Sequence, residues 1–439
     1  MKFKKTIVGC SVSAALLVMA GSAAASGFAL LEQSGSGLGN AFAGGAASAE
    51  DASTIFYNPA GMSRLSGSQL AVATSEIRPS ARFSGTVTGL APLQTAGAGT
   101  GGDAGSWGLA PSGYFAMELN AKTRVGLGIN APFGLQTQYD ANWMGNFQAI
   151  KSQIQTVNMN PAVSYQISDT VSLGAGLNYQ HISGELSNAA NYSALAFSKG
   201  GNALLGAVGT NSYGMSTLTG NDSAWGYNFG ALVDLSPQTR IGMAYRSKIR
   251  YNLSGTSSLT NVPGALLAAG LPQAQSVTVA MTMPDTFSFS GFHKLDDQWD
   301  LMADATWTDW SVVQQLNVLA ANGSSLSNTP YNWNNTWRVS AGANYHYSEA
   351  WTARMGVAYD QSPTSDAFRN ARIPDGNRTW LSLGGQYKPD KQSALDFGYA
   401  HLFVNSAAIN QLQAAAAGNL IGTYNNSVDI LSVQYAHGF

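Results

Sequence analysis

The most regular feature of the chain is an alternation of apolar and polar residues, which predicts β-strands. In TVSLGAGLNYQ, residues 170–180, Val, Leu, Ala, Leu and Tyr share one face, and Ser, Gly, Gly, Asn and Gln share the other. In WDLMADATWTDW, Trp299 and Trp307 lie on the apolar face, eight residues apart. In a strand tilted by about 40° this spacing covers roughly 20 Å of a membrane normal, so the two rings reach both rims of an apolar band about 25 Å tall.

Short turns and long connections alternate between these predicted strands. Six short turns are predicted at residues 120–122, 168–169, 236–238, 295–297, 347–349 and 388–391. Seven longer, irregular connections are predicted near residues 86–106, 133–150, 187–223, 257–274, 316–333, 362–377 and 405–424. The turns join twelve strands in pairs, and a first and a last strand bring the total to fourteen. The pattern predicts an all-β protein, a 14-stranded antiparallel transmembrane β-barrel with periplasmic turns and extracellular loops.

The composition favours a membrane barrel over a soluble β-protein. Charged residues make up 10% of the chain, against roughly 25% in soluble domains, while 49 Gly, 10 Trp and 18 Tyr are present. Beyond the first 25 residues no run of eighteen apolar residues occurs, which excludes helical membrane spans. The formal net charge of −2 argues against a nucleic-acid partner.

Residues 1–25 have the pattern of a secretory signal peptide. Three lysines precede an apolar run from Ile7 to Ala20, and Ala23-Ala24-Ala25 fits the small-residue rule for cleavage. Cys10, the only cysteine, lies inside this segment. The predicted mature chain therefore has no disulfide and no cysteine metal site.

The residues that usually carry catalysis form no recognisable set. The five histidines lack metal-ligand spacing, and neither G-x-S-x-G nor H-E-x-x-H occurs. Asp300 and Asp304 share an inward face, and solvation of the lumen is a better explanation for them than a hydrolytic pair. We therefore predict no enzyme activity, no metal and no cofactor.

The last strand, LSVQYAHGF, alternates in the same way and ends in Phe439. A terminal strand with a final aromatic residue resembles the signal by which bacterial outer-membrane barrels are recognised. We therefore expect a bacterial outer-membrane location, with the barrel-assembly machinery as a partner through Phe439. Outer-membrane lipid and lipopolysaccharide are expected to surround the barrel, which we predict to be a monomer.

The segment SGFALLEQSGSGLGNAFAGGAASAEDASTIFYNPAG, residues 26–61, resembles the N-terminal plug of the FadL family of outer-membrane transporters for long-chain fatty acids and other hydrophobic compounds. Later segments also resemble the family, namely TRIGMAYRS, MPDTFSFSG, WTDWS, YDQSP and IPDGNRTWLS. The resemblance implies a plug at residues 26–66, folded inside a barrel at residues 67–439.

The resemblance also implies a passive route for a hydrophobic ligand. Two extracellular loops, 194–209 and 262–271, would form an apolar entry groove lined by Leu204, Leu205, Leu266, Leu267 and Leu271. The ligand would pass to a pocket in the lumen and leave through a side opening at a kink in the third strand. The expected ligand-binding and gating residues are Phe28, Asn58, Pro59, Ala60, Pro132 and Gly134. Pro132 has no N–H to donate and Gly134 weakens pairing, so a break at 130–134 is physically reasonable.

The class of ligand stays open at this point. Fatty-acid transporters of the family place basic residues in the pocket, yet the corresponding stretches here, YQHISGELSN and YNWNNTWRVS, contain no Lys or Arg before Arg338. A buried carboxylate without a cation is costly, so a neutral hydrocarbon is an alternative to a fatty acid. Two other classes of function are alternatives: a secreted or surface β-rich adhesin or structural protein, and a lipid-modifying enzyme of the outer membrane.

Overall fold

A computed structural model describes residues 27–90, 92–412 and 416–439. The predicted signal peptide lies outside the described residues. The structure is one sheet of twenty segments. In chain order these are β1 (Gln69–Thr88), β2 (Gly108–Asn120), β3 (Thr123–Asn130), β4 (Gly134–Gln138), β5 (Lys151–Gln166), β6 (Val171–Asn191), β7 (Tyr213–Asp234), β8 (Thr239–Arg246), β9 (Ile249–Leu259), β10 (Ala274–Met283), β11 (Thr286–Lys294), β12 (Trp299–Thr308), β13 (Gln315–Ala320), β14 (Ser325–Pro330), β15 (Thr336–His346), β16 (Trp351–Asp360), β17 (Arg378–Tyr387), β18 (Ser393–Val404), β19 (Ala407–Leu412) and β20 (Asn419–Gly438).

These segments form fourteen barrel strands, as predicted. Six barrel strands each consist of two consecutive segments: β3–β4, β8–β9, β10–β11, β12–β13, β14–β15 and β18–β19. Every ladder is antiparallel, and β1 pairs with β20 from Gln69↔Gly438 to Thr88↔Asn419. Pairing of the first strand with the last closes the sheet, which removes the exposed edges that an open sheet would carry.

The alternation in the sequence corresponds to the two faces of the barrel wall. On β6, Leu173 and Leu177 are exposed on the outer face, while Ser172 and Asn178 are buried on the inner face. On β12, Leu301 is exposed and Asp300 and Asp304 are buried. The outer surface is thus apolar and the lumen polar, the arrangement expected of a barrel in lipid.

The six predicted turns are confirmed at one end of the barrel, which we call the turn end. Four predicted connections at the other end, the loop end, are partly wrong, because they contain strand segments. Residues 133–150 contain β4, and residues 187–223 contain the end of β6 and the start of β7. Residues 316–333 contain most of a hairpin of β13 and β14, and residues 405–424 contain β19 and the start of β20. Segments beyond the lipid band need no apolar outer face, so their sequences lack the alternation that marks the rest of the wall.

The predicted plug, residues 26–66, precedes β1, and its described residues contact inward-facing side chains on several sides of the barrel. It contains short helical turns at Leu38–Asn40, Thr54–Tyr57 and Pro59–Arg64. Pro59 opens the last helical turn, capped by the Asn58 side chain, because a fixed φ and a missing N–H suit that position.

Glycines in the barrel wall allow the plug to approach the backbone closely. A Cβ atom at Gly356 would lie 2.2 Å from the carbonyl carbon of Asn40, and one at Gly242 would lie 1.9 Å from the carbonyl oxygen of Ala46. Both distances are too short for any other residue. The close fit between plug and wall therefore depends on wall glycines as well as on the small residues of the plug.

No helix in the described part of the chain combines the length and the apolarity needed to cross a membrane.

Candidate functional site

A cavity of about 170 Å³ lies in the lumen toward the loop end. Most of its lining is apolar and comes from strands on several sides of the wall, including Leu135, Ile154, Ile182, Leu218, Leu253 and Val279. An apolar cavity of about 150 Å³ accommodates a benzene molecule. The pocket is therefore large enough and apolar enough for a hydrocarbon ring or part of an alkyl chain.

A cluster of four aromatic rings lies at one end of this pocket, and two of them, Phe28 and Trp333, line it. The Phe28 ring centroid lies 4.9 Å from that of Trp310, 5.6 Å from that of Trp333 and 6.0 Å from that of Phe133. All four side chains are buried. Phe28 was predicted from the sequence, whereas the roles of Phe133, Trp310 and Trp333 were not.

A second cavity of about 110 Å³ lies on the opposite side of this aromatic cluster. It is bordered by plug residues that include Leu30 and Tyr57, by Pro132, and by the side chain of Arg246. The four rings therefore stand between two chambers.

The third barrel strand is interrupted at residues 131–133, inside the predicted range of 130–134. The N-terminal segment occupies the break: the Leu30 N–H donates to the Pro132 carbonyl at 2.8 Å, and the Gly134 N–H donates to the Phe28 carbonyl at 2.9 Å. The Thr156 hydroxyl, 2.9 Å from the Phe133 nitrogen and 2.7 Å from its carbonyl oxygen, satisfies the backbone groups of Phe133, and the Gln33 side chain satisfies those of Ala131. Phe28 is thus held directly at the strand break.

The same break leaves a gap in the barrel wall. The ladder between β2 and β3 ends at Gly113↔Ile129, and β2 continues beyond that point with only β1 as a strand partner. Within the described residues, β4 has a strand partner on one side only, which is β5. The unpaired edge of β2 therefore lies beside β4, which contacts the segment before β2 through two hydrogen bonds. The Gln138 N–H donates to the Ala104 carbonyl at 2.9 Å, and Gln136 Nε2 donates to Ser106 Oγ at 2.6 Å.

Asp375 fastens the start of the described chain to a loop. Its carboxylate accepts the Gly27 N–H at 3.0 Å and the Ser362 hydroxyl at 2.8 Å, and it pairs with Arg378. The loop between β16 and β17 therefore holds the residue next to Phe28. This contact joins residues 348 positions apart, and no local pattern in the sequence indicates it.

Asn58, Pro59 and Ala60 lie where the plug meets the wall, away from the main pocket. The Asn58 amide donates to the Ala46 carbonyl at 2.7 Å and to the Ala231 carbonyl at 3.0 Å, while its side-chain oxygen accepts the Ala60 N–H at 3.0 Å. Pro59 borders the second cavity. These contacts join the plug to β7 and restrain its position.

The five predicted groove leucines lie on two short helices that pack together at the loop end, Tyr192–Val208 and Gly264–Ala268, or just after the second. Leu266 is completely buried between them, and Leu204 and Leu271 pack against the same cluster. Leu205 is half-buried and Leu267 is exposed. The structure thus divides the set into packing residues and residues that face outward.

The two stretches compared with the family contribute no lysine or arginine to the main pocket, but Arg372 lines it. Arg372 comes from the loop between β16 and β17, and not from either of the stretches compared with the family. Among the candidates in those stretches, His181 is exposed and bonds to Ser223, and Glu185 pairs with Lys151 at 2.7 Å. Loop residues fold back over the lumen, so strand position alone did not reveal this cation.

A closed fourteen-stranded barrel with an apolar outer face, a polar lumen and a folded N-terminal segment inside defines a transport barrel of the bacterial outer membrane. The sequence profile of the family described as outer membrane protein transport protein (OMPP1/FadL/TodX) matches residues 16–439. The chain belongs to this family, and the family predicted from the opening segment is confirmed.

Named relatives agree with this assignment. The chain is 31% identical to outer membrane protein P1 of Haemophilus influenzae, covering 91% of this chain and 90% of that protein. It is 26% identical to the long-chain fatty acid transport protein of Escherichia coli, covering 97% and 99%. The crystal structure of a Pseudomonas aeruginosa FadL homologue superposes with a TM-score of 0.86 at 28% identity, covering 94% and 100%. These relatives support an outer-membrane transporter over an adhesin.

Proposed function

We propose that this protein carries hydrophobic compounds passively across the outer membrane, through the lumenal pocket and out of the gap in the barrel wall. The observation that carries the proposal is the position of the pocket, whose aromatic end includes the residue that occupies the strand break. A ligand in the pocket therefore contacts Phe28, and Phe28 is bonded through its backbone to Gly134 at the edge of the gap.

Entry in this proposal begins at the helix pair of the loop end. Leu205 and Leu267 offer apolar surface to a ligand, while Leu204, Leu266 and Leu271 keep the two helices together. Exposed apolar groups at a water-facing surface commonly mark a binding site. The ligand then enters the main pocket, where burial of apolar surface stabilises it by about 25 cal/mol per Å².

Exit in this proposal requires Phe28 to move. The segment Phe28–Leu30 is held at the break by two backbone hydrogen bonds and by its ring contacts, and a ligand competes for the ring contacts only. Loss of those contacts frees the segment and opens the gap between β2 and β4. A concentration gradient is sufficient to drive this route, and the plug, fastened by Asn58, blocks the direct path along the barrel axis.

Recognition of the last strand by the barrel-assembly machinery, contact with lipopolysaccharide and a monomeric state stay predictions.

A cross-link across the gap tests the lateral route. Continued by two residues, the register of β2 and β3 places Pro111 opposite Ala131, at the second position beyond the last pair, Gly113↔Ile129. With cysteines at these two sites, oxidation ties the edges together, and we expect uptake of a radiolabelled hydrophobic compound to stop and to recover after reduction. Cys10 lies in the predicted signal peptide, so no thiol beyond it interferes.

The matched control is a cysteine pair at Phe115 and Leu127, which already face each other in the intact part of the same ladder. Oxidation of this pair should leave uptake unchanged, since the wall is closed there. Native uptake by the oxidised Pro111–Ala131 pair, in a correctly inserted barrel, would exclude the lateral route and favour a path past the plug.

A further inference from the structure

The barrel wall has a second interruption, between β10 and β13. The ladder between these two segments is short, and its last pair is Val279↔Val318. The next ladder toward the turn end, between β11 and β12, begins at Thr286↔Thr308. Between the two ladders the barrel strand of β12 and β13 has three more residues than its partner, because Thr308 to Val318 spans ten positions and Val279 to Thr286 spans seven. The two edges cannot stay in register over this stretch, so the wall is interrupted.

Two local features of the chain explain the interruption. Pro284 stands between β10 and β11, and it has no N–H to give to a ladder. On the facing strand, Trp310–Val312 forms a short helical turn, and the Trp310 ring packs inward against Phe28. A backbone hydrogen bond from the Asp309 N–H to the Asp285 carbonyl, at 3.0 Å, lies at the turn-end side of the interruption.

The main pocket reaches this interruption from the inside. Its lining includes Ala280, Met281 and Thr282 on one edge and Val312, Val313, Gln315 and Leu316 on the other. We call the space between these two edges the second opening. Ala280 and Gln315 are exposed, whereas Val279 and Val318 in the adjoining ladder are buried. The pocket and the outer surface of the barrel therefore meet at the second opening.

Outward aromatic side chains mark the height of the second opening in the membrane. Phe287, Trp307 and Trp337 lie in one row across three barrel strands, just to the turn-end side of the opening. The rings of Phe287 and Trp337 are exposed. Girdles of aromatic residues in outer-membrane barrels lie at the membrane interface. The second opening therefore lies where the apolar band meets the polar surface of the outer leaflet.

The N-terminal segment does not hold the second opening closed. At the break in the third barrel strand, Phe28 and Leu30 form backbone hydrogen bonds with the residues around Pro132. No hydrogen bond joins the described plug residues to either edge of the second opening. Passage at this place therefore does not depend on displacement of Phe28.

We propose that the second opening is a side entrance, through which hydrophobic compounds dissolved in the outer leaflet reach the main pocket. This proposal rests on the proposed transport function and adds a route into the same pocket. A compound that enters sideways goes from lipid to an apolar cavity and does not expose its apolar surface to water on the way. The helix pair of the loop end then serves compounds that arrive from water, and the break in the third barrel strand stays the exit.

A removable linker across the second opening tests the proposal. The variant carries Thr282→Cys and Gln315→Cys, at positions that the register of β10 and β13, continued by three residues, places opposite each other. After the folded barrel has been placed in lipid nanodiscs, a short bis-methanethiosulfonate reagent joins the two thiols, and mass spectrometry verifies complete linkage. Because the linker is added after folding, a folding defect does not enter the comparison.

The measured quantity is the rate at which 1-fluoronaphthalene exchanges between the lipid and the pocket. Fluorine-19 exchange spectroscopy gives this rate from separate lipid and pocket signals, and the pocket signal is identified by its loss in Leu253→Trp, which fills the cavity. Linkage should slow entry and release together by about 10-fold or more, with little change in the ratio of the two signals, since the linker alters the path and not the bound state. Reduction of the linker should restore the native rate.

The matched control carries Thr278→Cys and Leu319→Cys, which already face each other in the intact ladder between β10 and β13. The same reagent should leave exchange in this variant at the native rate, because the wall is closed there.

Native exchange in fully linked protein with Thr282→Cys and Gln315→Cys would overturn the side entrance while leaving the pocket and the transport function intact. Absence of a pocket signal in the native protein would instead overturn the proposed function, and the side entrance with it.

Discussion

Glu32 illustrates how much a single plug residue is affected by its position inside a barrel. Its side chain is 1% exposed, and Oε2 has no hydrogen-bond partner among the described residues. Burial raises the pKa of Glu32 from its ordinary value of 4.5 to about 7, although Arg378 and Arg338 oppose the shift and Asp360 adds to it. The folded protein therefore holds this proton at pH values where an unfolded chain has lost it.

This difference predicts a pH-dependent stability. Because the folded state binds the Glu32 proton more tightly, the stability from this residue is complete below about pH 4.5, falls as the pH rises toward 7, and is constant above. Glu32→Gln, which stays neutral, should flatten this part of the profile and raise the thermal unfolding midpoint at pH 8. Gel migration of heated samples at pH 5 and pH 8 measures the midpoint.

The control for this prediction is Glu349→Gln, in an exposed turn. It should keep the native pH dependence. An unchanged profile in Glu32→Gln would show that another group titrates in this window.

At the level of the element, the break in the third barrel strand provides a binding site for the N-terminal segment. Pro132 has no N–H for the ladder, and the Thr156 side chain supplies hydrogen bonds where the strand partner is missing. The unpaired backbone at 132–134 then accepts Phe28–Leu30 as a short extra strand. An interruption in one strand thus positions the plug and opens the wall at the same place.

Restoring a regular strand should close the wall. Pro132→Val with Gly134→Thr supplies the missing N–H and two residues with high β-propensity, so β3 and β4 are expected to merge and pair with β2. Uptake should then slow sharply, while barrel insertion and heat-modifiable migration stay native. Native uptake in a variant with this longer ladder, verified by hydrogen exchange, would contradict the role of the break.

The helix pair at the loop end allows an analogous test of entry. Leu205→Ser with Leu267→Ser removes outward apolar surface and should reduce uptake at low ligand concentration, with little effect when ligand is saturating. Leu266→Ser should instead destabilise the helix pair by about 2–5 kcal/mol, since this side chain is completely buried. Unchanged uptake at low concentration in the double variant would assign these leucines to packing alone.

At the level of the whole molecule, an ionic group secures the plug inside the barrel. Arg354 on β16 pairs with Glu50 of the plug and with Asp396 of β18 at 2.9 Å, and it donates to the Ser36 carbonyl. Asp51 of the plug accepts the Gln434 amide of β20 at 2.7 Å. These contacts link the plug to β16, β18 and β20, so movement of Phe28 does not require the whole plug to leave.

Removal of the Arg354 guanidinium should loosen the plug. Arg354→Gln leaves Glu50 and Asp396 without their partner, and breaking a buried ion pair in this way costs about 3–5 kcal/mol. Leakage of small polar solutes through reconstituted barrels should therefore increase, as measured by conductance or liposome swelling. The control is Arg250→Gln, at an exposed site on the wall, which should show no increase in solute leakage. If Arg354→Gln barrels also show no increase in leakage, backbone packing alone retains the plug.

The sequence alone determined the barrel and its family, because lipid outside and a polar lumen inside impose the same two-residue period on every strand that crosses the membrane. The turns, the strand number and the break near Pro132 follow from equally local signals, since proline and turn residues act on their own backbone. Only the tertiary structure revealed that Arg372 and Trp333 line one pocket, with Trp310 packed beside Trp333. These side chains come from loops and strand ends that do not face lipid, so no alternation in the sequence identifies them. They come close together only because the barrel closes.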